Sequence, residues 1–265
     1  TEAAFGIAAV VATYLLGRSM FSWRVGLVAS VLLAFNHFAL AFSRIGLVNQ
    51  QSMTVQLVAF LLLWEGFRRR RPLLTALGGA AAGAGLYLYF ASWVVPVILG
   101  AFLLWAAVFR LRDARNARYL GLWAAAGFMV LVLPWLAFLV LNLENFRERP
   151  SDVFILPEME GHKERWQTDS AMEVLRQQAI HTVHIFYRGG DTSNQYGYDA
   201  PLLDPITRWL FLLGLAVAVS LLWRPPYAFL LLWFGTTLVI GGVLTESPPF
   251  MPRLVGMIPA TSMPS

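Results

Sequence analysis

Apolar residues form long runs along this chain, and short clusters of charged residues separate them. Most runs approach the roughly 20 residues that an α-helix needs to cross a bilayer. The pattern therefore predicts an all-α integral membrane protein built as a polytopic bundle of transmembrane helices. The predicted spans are about 3–17, 25–42, 51–67, 73–91, 93–109, 119–142, 206–223 and 227–244, with a further span that starts near 254.

The two ends of the sequence bear on its extent. The run at 3–17 is short for a span, the first residue is not Met, and a new apolar stretch begins near residue 254. We therefore expect the 265 residues to be an excerpt of a longer protein. Within it, residues 1–265 are expected to form one transmembrane domain with a single long polar loop at 143–205.

The long loop contains one segment with helical periodicity, at 168–188. Ser170 and Glu173 fit a capping box at its start. The apolar positions that recur at helical spacing are Met172, Leu175, Ala179, Val183 and Phe186. These residues predict an amphipathic helix that lies along the membrane surface. The stretch 189–198 is rich in glycine and polar residues, which predicts a loop.

Two local patterns predict helix packing and not chemistry. Gly79 and Gly83 form a pair of small residues four apart in a span rich in alanine and glycine, which permits a close helix approach. Glu65 lies four residues before Arg69, which favours an ion pair on one helix face.

Composition supports the membrane assignment and excludes several classes of function. The chain is 58% apolar and 13% charged, with a mean hydropathy of +0.61, whereas soluble domains carry about 25% charged residues. The absence of cysteine excludes disulfides and thiolate metal sites. The net charge of +5 comes from arginine clusters between apolar runs, so it indicates membrane topology and not a nucleic-acid partner.

The arginine clusters fall in every second loop between the predicted spans. These loops hold Arg18, Arg24, Arg68, Arg69, Arg70, Arg71, Arg110, Arg112, Arg115, Arg118 and Arg224. Because lysine and arginine are retained on the cytoplasmic side, these loops are predicted to be cytoplasmic. The alternate loops then face outward, and 143–204 carries 11 of the 15 acidic residues there.

Two arginines break this charge rule, since they lie at the outward ends of predicted spans. Arg44 ends one apolar run, and Arg253 follows a proline-rich turn. A guanidinium stays charged and pairs bidentately with phosphate oxygens, so together they could hold a lipid-linked phosphate. Alternatively, each arginine extends toward lipid headgroups or pairs with an acidic neighbour such as Glu246.

The histidines carry weaker signals. His37 lies near the outward end of a span, where a hydrogen-bonded interfacial histidine is the alternative to a substrate contact. His181 and His184 have a spacing compatible with metal binding, but the sequence shows no third ligand. No metal site is therefore assigned.

Short strings then carry a family resemblance in series along the chain. They are TYLLGR at 13–18, RVGL at 24–27, FSRIGL at 42–47, GLYLY at 85–89, FYRGGD at 186–191, PLLDP at 201–205, LFLLG at 210–214 and LTE at 244–246 together with Arg253. The series resembles the phospholipid carrier-dependent glycosyltransferases of family 39. These are protein-mannosyltransferase-like enzymes of the GT-C superfamily, and the later strings resemble a bacterial branch.

This resemblance implies a multi-pass enzyme of a bacterial plasma membrane with its active site facing outward. Such an enzyme moves a sugar from a polyprenyl-phosphate donor to an acceptor hydroxyl on a protein, lipid or glycan. Arg44 and Arg253 match family positions near the donor phosphate. The resemblance leaves open whether a divalent metal is required, and it implies no other cofactor.

The chain departs from the family pattern at its acidic residues. The resemblance places the principal catalytic Asp in an outer loop that would precede Thr1, so no residue here is assigned as catalytic. Where several relatives have a second acidic residue, this chain has Asn49, which can orient a hydroxyl but cannot accept its proton. Asp191, Glu246, Asn49 and His37 are the candidate substrate contacts. For the two carboxylates, loop capping and local ion pairing are the alternatives.

Two other functions compete with the enzyme. A transporter or flippase for a lipid-linked or anionic solute would place ionisable groups or broken helices in mid-membrane, often in repeated halves. A non-catalytic paralogue would keep the spans and lose the base, as Asn49 allows.

Overall fold

The computed structural model describes residues 2–109, 114–142, 153–193 and 199–263. The helices are α1 Glu2–Met20, α2 Trp23–Phe35, α3 His37–Ile45, α4 Val48–Arg69, α5 Pro72–Gly85, α6 Val94–Phe109, α7 Ala114–Leu141, α8 Met159–Arg165, α9 Ala171–His184, α10 Pro205–Ser220, α11 Pro225–Leu238, α12 Met251–Leu254 and α13 Ile258–Ser262. Within these residues, β pairing is limited to one isolated antiparallel bridge between Phe154 and Thr245.

Four helical segments of the described chain are long and apolar enough to cross a membrane. They are Glu2–Met20, Phe90–Phe109, Arg118–Leu141 and Pro225–Val243, and the bent pair α2 and α3 would make a fifth span. Large apolar side chains are exposed on their outer surfaces, as lipid-facing helices require. The chain is therefore an all-α, multi-pass membrane protein.

The predicted span 25–42 is not one straight helix in the structure. It is divided at Asn36 into α2 and α3, whose axes differ by 60°. The Asn36 amide oxygen accepts from the Ala39 backbone amide at 3.1 Å, so Asn36 caps α3. Its amide nitrogen donates to the Leu202 carbonyl at 3.2 Å. The side chain therefore fixes the bend and ties it to a distant part of the chain.

Helix α4 buries a polar stretch at its N-terminal end. The buried polar side chains are Asn49, Gln50, Ser52, Thr54 and Gln56. Thr54 donates to the Phe5 carbonyl of α1 at 2.9 Å, and the Ser52 and Ser92 hydroxyls are 2.6 Å apart. Because these groups face the inside of the bundle, Ser52 and Thr54 make their hydrogen bonds within the protein, whereas both amide atoms of Gln56 have no partner among the described residues.

Glycines bring α5 and α7 unusually close together. A methyl group on Gly79 would lie 1.9 Å from the Ala124 carbonyl oxygen, and one on Gly127 would lie 1.9 Å from that of Ala76. The close approach predicted at Gly79 and Gly83 is confirmed, since Gly83 also packs against α7.

The predicted ion pair of Glu65 with Arg69 is also confirmed. Arg68 adds a second pair to the same carboxylate at 2.7 Å, and the Ser19 hydroxyl of α1 donates to it. Glu65 therefore connects the ends of α1 and α4 on the side predicted to be cytoplasmic.

The surface helix begins where predicted but packs through a different face. The Glu173 amide donates to the Ser170 hydroxyl at 3.4 Å, which is half of a capping box. The Glu173 carboxylate binds Arg176 instead of the Ser170 amide, and this bond lowers the pKa of Glu173 to about 2. The buried residues are Val174, Gln178 and Thr182, whereas Met172 of the predicted apolar stripe is 74% exposed.

A glycine after α11 allows α9 to pack closely in this way. Residues Val239–Val243 form one turn of π-helix. A methyl group on Gly242 would lie 2.4 Å from the Thr182 side chain, so α9 packs directly against this turn. The predicted span 227–244 is thus helical, with a π-helical turn at its end.

The chain after residue 250, where the start of a span was predicted, forms short helices in the core. Nearly every residue from Met251 to Met263 is buried. The Trp233 indole of α11 donates to the Gly256 carbonyl at 2.8 Å, and both groups are buried. This segment carries Arg253 and sets the position of the candidate site.

Candidate functional site

The candidate site is built on residues 246–253, here called the Arg253 turn. The Glu246 amide donates to the Val153 carbonyl at 2.9 Å, which ties the start of the turn to the long loop. The end of the turn lies against the π-helical segment, because a methyl group on Gly241 would be 2.8 Å from the Arg253 carbonyl oxygen. The backbone of the turn is therefore held at both ends.

The Arg253 side chain is half-buried and lies over the Phe250 ring, with its central carbon 4.5 Å from the ring centre. One terminal nitrogen donates to the Glu246 carbonyl at 2.9 Å. Across the described residues, no carboxylate lies within ion-pair distance of this guanidinium. Among the described residues, its side chain donates to a carbonyl and not to a carboxylate.

Two polar side chains lie next to Arg253. Asn49 of α4 is 3% exposed, and its amide nitrogen donates to the Pro252 carbonyl at 3.4 Å. The Tyr89 hydroxyl lies near the Asn49 side chain and close enough to Arg253 to interact with its charge. A guanidinium, a phenol and an amide therefore converge from three separate parts of the chain.

Tyr89 was not among the residues predicted from the sequence. It lies in the GLYLY string that contributes to the family resemblance, yet nothing in that string distinguishes it from Tyr87. Tyr87 points elsewhere, since its hydroxyl donates to the Leu131 carbonyl at 2.6 Å. Only the fold separates the two tyrosines.

Asp191 is joined to the Arg253 turn through its carboxylate. One oxygen accepts from the Met251 amide at 3.0 Å and from the Ser193 amide at 3.2 Å. The other accepts from the Ser193 hydroxyl at 2.6 Å. Both oxygens are therefore engaged within the chain, in the loop-capping arrangement that was the alternative for this residue.

The remaining predicted residues lie at different positions. Glu246 is exposed and contributes its backbone to the turn. Arg44 is exposed near the end of α3, and no hydrogen bond or ion pair joins it to the turn or to other described residues. His37 lies at the start of α3, with its ring 4.5 Å from that of Phe38. The structure thus brings together Asn49, Asp191, Glu246 and Arg253, but does not link Arg44 to them.

The described residues contain no group of three histidine or acidic side chains arranged to hold a metal ion. His181 and His184 form a row with Trp166, with ring centres 5.4 Å and 5.0 Å apart. Burial, together with the charges of His184 and Arg165, lowers the pKa of His181. This shift in pKa favours the neutral form of His181.

Comparison with known proteins finds solved structures with a similar fold. No family model matches the sequence, and no curated protein matches it. Among solved structures, the archaeal oligosaccharyltransferase AglB from Archaeoglobus fulgidus, in complex with an inhibitory peptide and a dolichol-phosphate, is 14% identical. It superposes with a TM-score of 0.62 over 100% of this chain and 38% of its own.

Two further structures of the Archaeoglobus fulgidus oligosaccharyltransferase are similar. The complex with zinc and sulfate is 16% identical, with a TM-score of 0.62 over 100% of this chain and 36% of that chain. The form tethered to an acceptor peptide is 15% identical, with a TM-score of 0.60 over 99% of this chain and 37% of that chain. The chain thus shares the fold of part of these oligosaccharyltransferases and spans under two fifths of their length.

Proposed function

We propose that this chain belongs to a membrane glycosyltransferase that moves a sugar from a polyprenyl-phosphate donor to an acceptor hydroxyl on the extracytoplasmic face. The fold supports the proposal, because the similar enzymes are oligosaccharyltransferases. One of them is in complex with a dolichol-phosphate, and another is tethered to an acceptor peptide. The acceptor here would be a protein, lipid or glycan, and the location would be a bacterial plasma membrane.

One observation carries the proposal: Arg253 is a half-buried cation, and within the described residues no carboxylate forms a direct ion pair with it, although the charge of Glu246 lies close enough to interact. A charge held away from water without a counter-ion is costly, so the site favours an anionic ligand. When the sugar is transferred, its bond to the lipid phosphate breaks and negative charge develops on the leaving phosphate. The Arg253 guanidinium, with the Tyr89 hydroxyl beside it, would stabilise that charge.

Other predicted residues keep supporting roles in this proposal. Arg44 would supply a second cation from the exposed end of α3. Asn49 would orient the turn, since its amide donates to the Pro252 carbonyl, and it lies beside Tyr89. The general base that removes the acceptor proton would come from a residue outside this sequence, or from Glu246 if the acceptor reaches the exposed side of the turn.

The buried polar stretch of α4 favours transport as a second candidate function. Gln56 is 2% exposed, and neither amide atom has a hydrogen-bond partner within the described chain. Unpaired polar groups inside a helix bundle are expected where a solute crosses the membrane. A transporter would move a lipid-linked sugar across a vesicle membrane without cleaving it, whereas the enzyme would release the lipid phosphate.

The proposal is tested by substituting Arg253 in the full protein reconstituted in lipid nanodiscs. Binding of undecaprenyl phosphate would be measured for wild type, Arg253→Ala and Arg253→Lys. Arg224→Ala serves as the matched control, because Arg224 is an exposed arginine in a loop predicted to face the opposite side.

Losing a charge-assisted hydrogen bond costs about 1.5–3 kcal/mol, so Arg253→Ala is expected to weaken binding about ten- to hundredfold. Arg253→Lys keeps the charge but loses the planar fork, and should fall between alanine and wild type. Arg224→Ala should bind like wild type. Equal binding by wild type and Arg253→Ala would refute the assignment of this arginine to the phosphate.

A further inference from the structure

Asp191 and Thr192 bind the Arg253 turn through several hydrogen bonds. The Asp191 carboxylate accepts from the Met251 amide at 3.0 Å. The Thr192 amide donates to the Pro249 carbonyl at 2.9 Å, and the Thr192 hydroxyl contacts the carbonyls of Ser247 and Pro249 at 2.5 and 3.0 Å. Two adjacent residues therefore bind three residues of the turn.

We infer that Asp191 is a positioning residue that holds the Arg253 turn in place, and that Thr192 acts with it. Met251 is fully buried and lies two residues before Arg253. Its amide is at the start of α12, where a backbone N–H has no partner within the helix. The Asp191 carboxylate satisfies this amide and so fixes the direction in which the chain enters α12 and carries Arg253.

The geometry argues against two other roles for Asp191. A general base needs an oxygen that can take a proton from an acceptor, but both oxygens already accept hydrogen bonds within the chain. A direct counter-ion for Arg253 would form an ion pair, whereas the guanidinium donates to the Glu246 carbonyl. Asp191 therefore acts on Arg253 through the backbone.

Two substitutions of Asp191 distinguish a positioning role from a role that needs its negative charge. Asp191→Asn keeps one oxygen to accept from the Met251 amide, and its new amide group can donate to the Ser193 hydroxyl. Asp191→Ala removes both interactions. Asp204→Ala is the matched control, because Asp204 also caps a helix, accepting from the Ile206 and Thr207 amides at 3.0 and 3.1 Å, on a different element.

The first readout is amide hydrogen exchange of the full protein in nanodiscs, followed in the peptide that covers residues 246–257. Asp191→Ala is expected to raise exchange of this peptide about tenfold, and Asp191→Asn to stay within about threefold of wild type. Asp204→Ala should leave this peptide unchanged. Unaltered exchange in Asp191→Ala would overturn the inference.

The second readout is binding of undecaprenyl phosphate, and this part rests on the proposed function. Asp191→Ala is expected to bind about tenfold more weakly, and Asp191→Asn should restore most of the loss. If asparagine binds as weakly as alanine while exchange stays at the wild-type rate, the carboxylate contacts the ligand and the inference is wrong. If wild type binds no undecaprenyl phosphate, the proposed function fails, and the exchange result alone decides the positioning role.

Discussion

Replacing Gly127 by alanine tests how tightly α5 and α7 are packed. The added methyl carbon would lie 1.9 Å from the Ala76 carbonyl oxygen, 2.7 Å from its carbonyl carbon and 3.0 Å from its α-carbon. All three atoms belong to the backbone, so no side chain can rotate away. The two helices would have to separate by about 1 Å along their contact, in a structure that is normally packed as densely as an organic crystal.

The expected cost follows from two opposing effects. Adding a methylene-sized group to a well-packed interface costs about 1–3 kcal/mol, and the upper end applies where only backbone can yield. Alanine also stabilises a helix by up to about 1 kcal/mol relative to glycine. We therefore expect Gly127→Ala to lower the free energy of unfolding by about 1–2 kcal/mol.

The assay is unfolding of the purified protein in mixed micelles of increasing SDS content, followed by circular dichroism. Gly100→Ala is the matched control, because Gly100 lies in α6 with no atom within 4 Å of the added carbon. It should unfold at the same SDS fraction as wild type or at a higher one. If Gly127→Ala unfolds together with Gly100→Ala, the close contact between α5 and α7 is refuted.

Two further predictions concern single contacts. Hydrogen bonds from the Thr207 side chain and from backbone amides hold the pKa of Asp204 below its ordinary value of 3.8. The stabilisation it gives is thus present above that value and lost as pH falls below it, so the difference in Tm between wild type and Asp204→Asn should shrink between pH 7 and about pH 3. A constant difference would contradict this. Trp233→Phe removes the donor to the buried Gly256 carbonyl and should cost about 1–3 kcal/mol in SDS unfolding, whereas an unchanged midpoint would contradict the bond.

The helices and the membrane class could be predicted because long apolar runs determine them locally. The bend at Asn36 could not, since apolar residues continue on both sides and one hydrogen-bond partner of Asn36, Leu202, is 166 positions away. The packed face of α9 was also predicted incorrectly. Two polar residues, Gln178 and Thr182, are buried there, and Gly242 leaves room for Thr182.

The candidate site, like the fold, could be predicted from the sequence only in part. Arg253 could be singled out because an arginine at the outer end of a span breaks the charge rule. Its surroundings are contributed by residues far apart in sequence, such as Tyr89 and Asp191, and no local pattern marks either one as a neighbour. Arg253 could therefore be selected as a candidate from the sequence, whereas its neighbours could be identified only from the fold.

The polar stretch of α4 also bears on how the chain is inserted during synthesis. A nascent helix meets the lipid before its later partners exist, and unpaired amides in hydrocarbon are costly. Thr54 finds its partner in α1, which is made earlier, but Asn49 and Gln56 pack against Pro252 and Gly256, which are made much later. We therefore expect α4 to enter the bilayer alongside α1 and to reach its final depth and rotation only after the 251–263 segment has been synthesised.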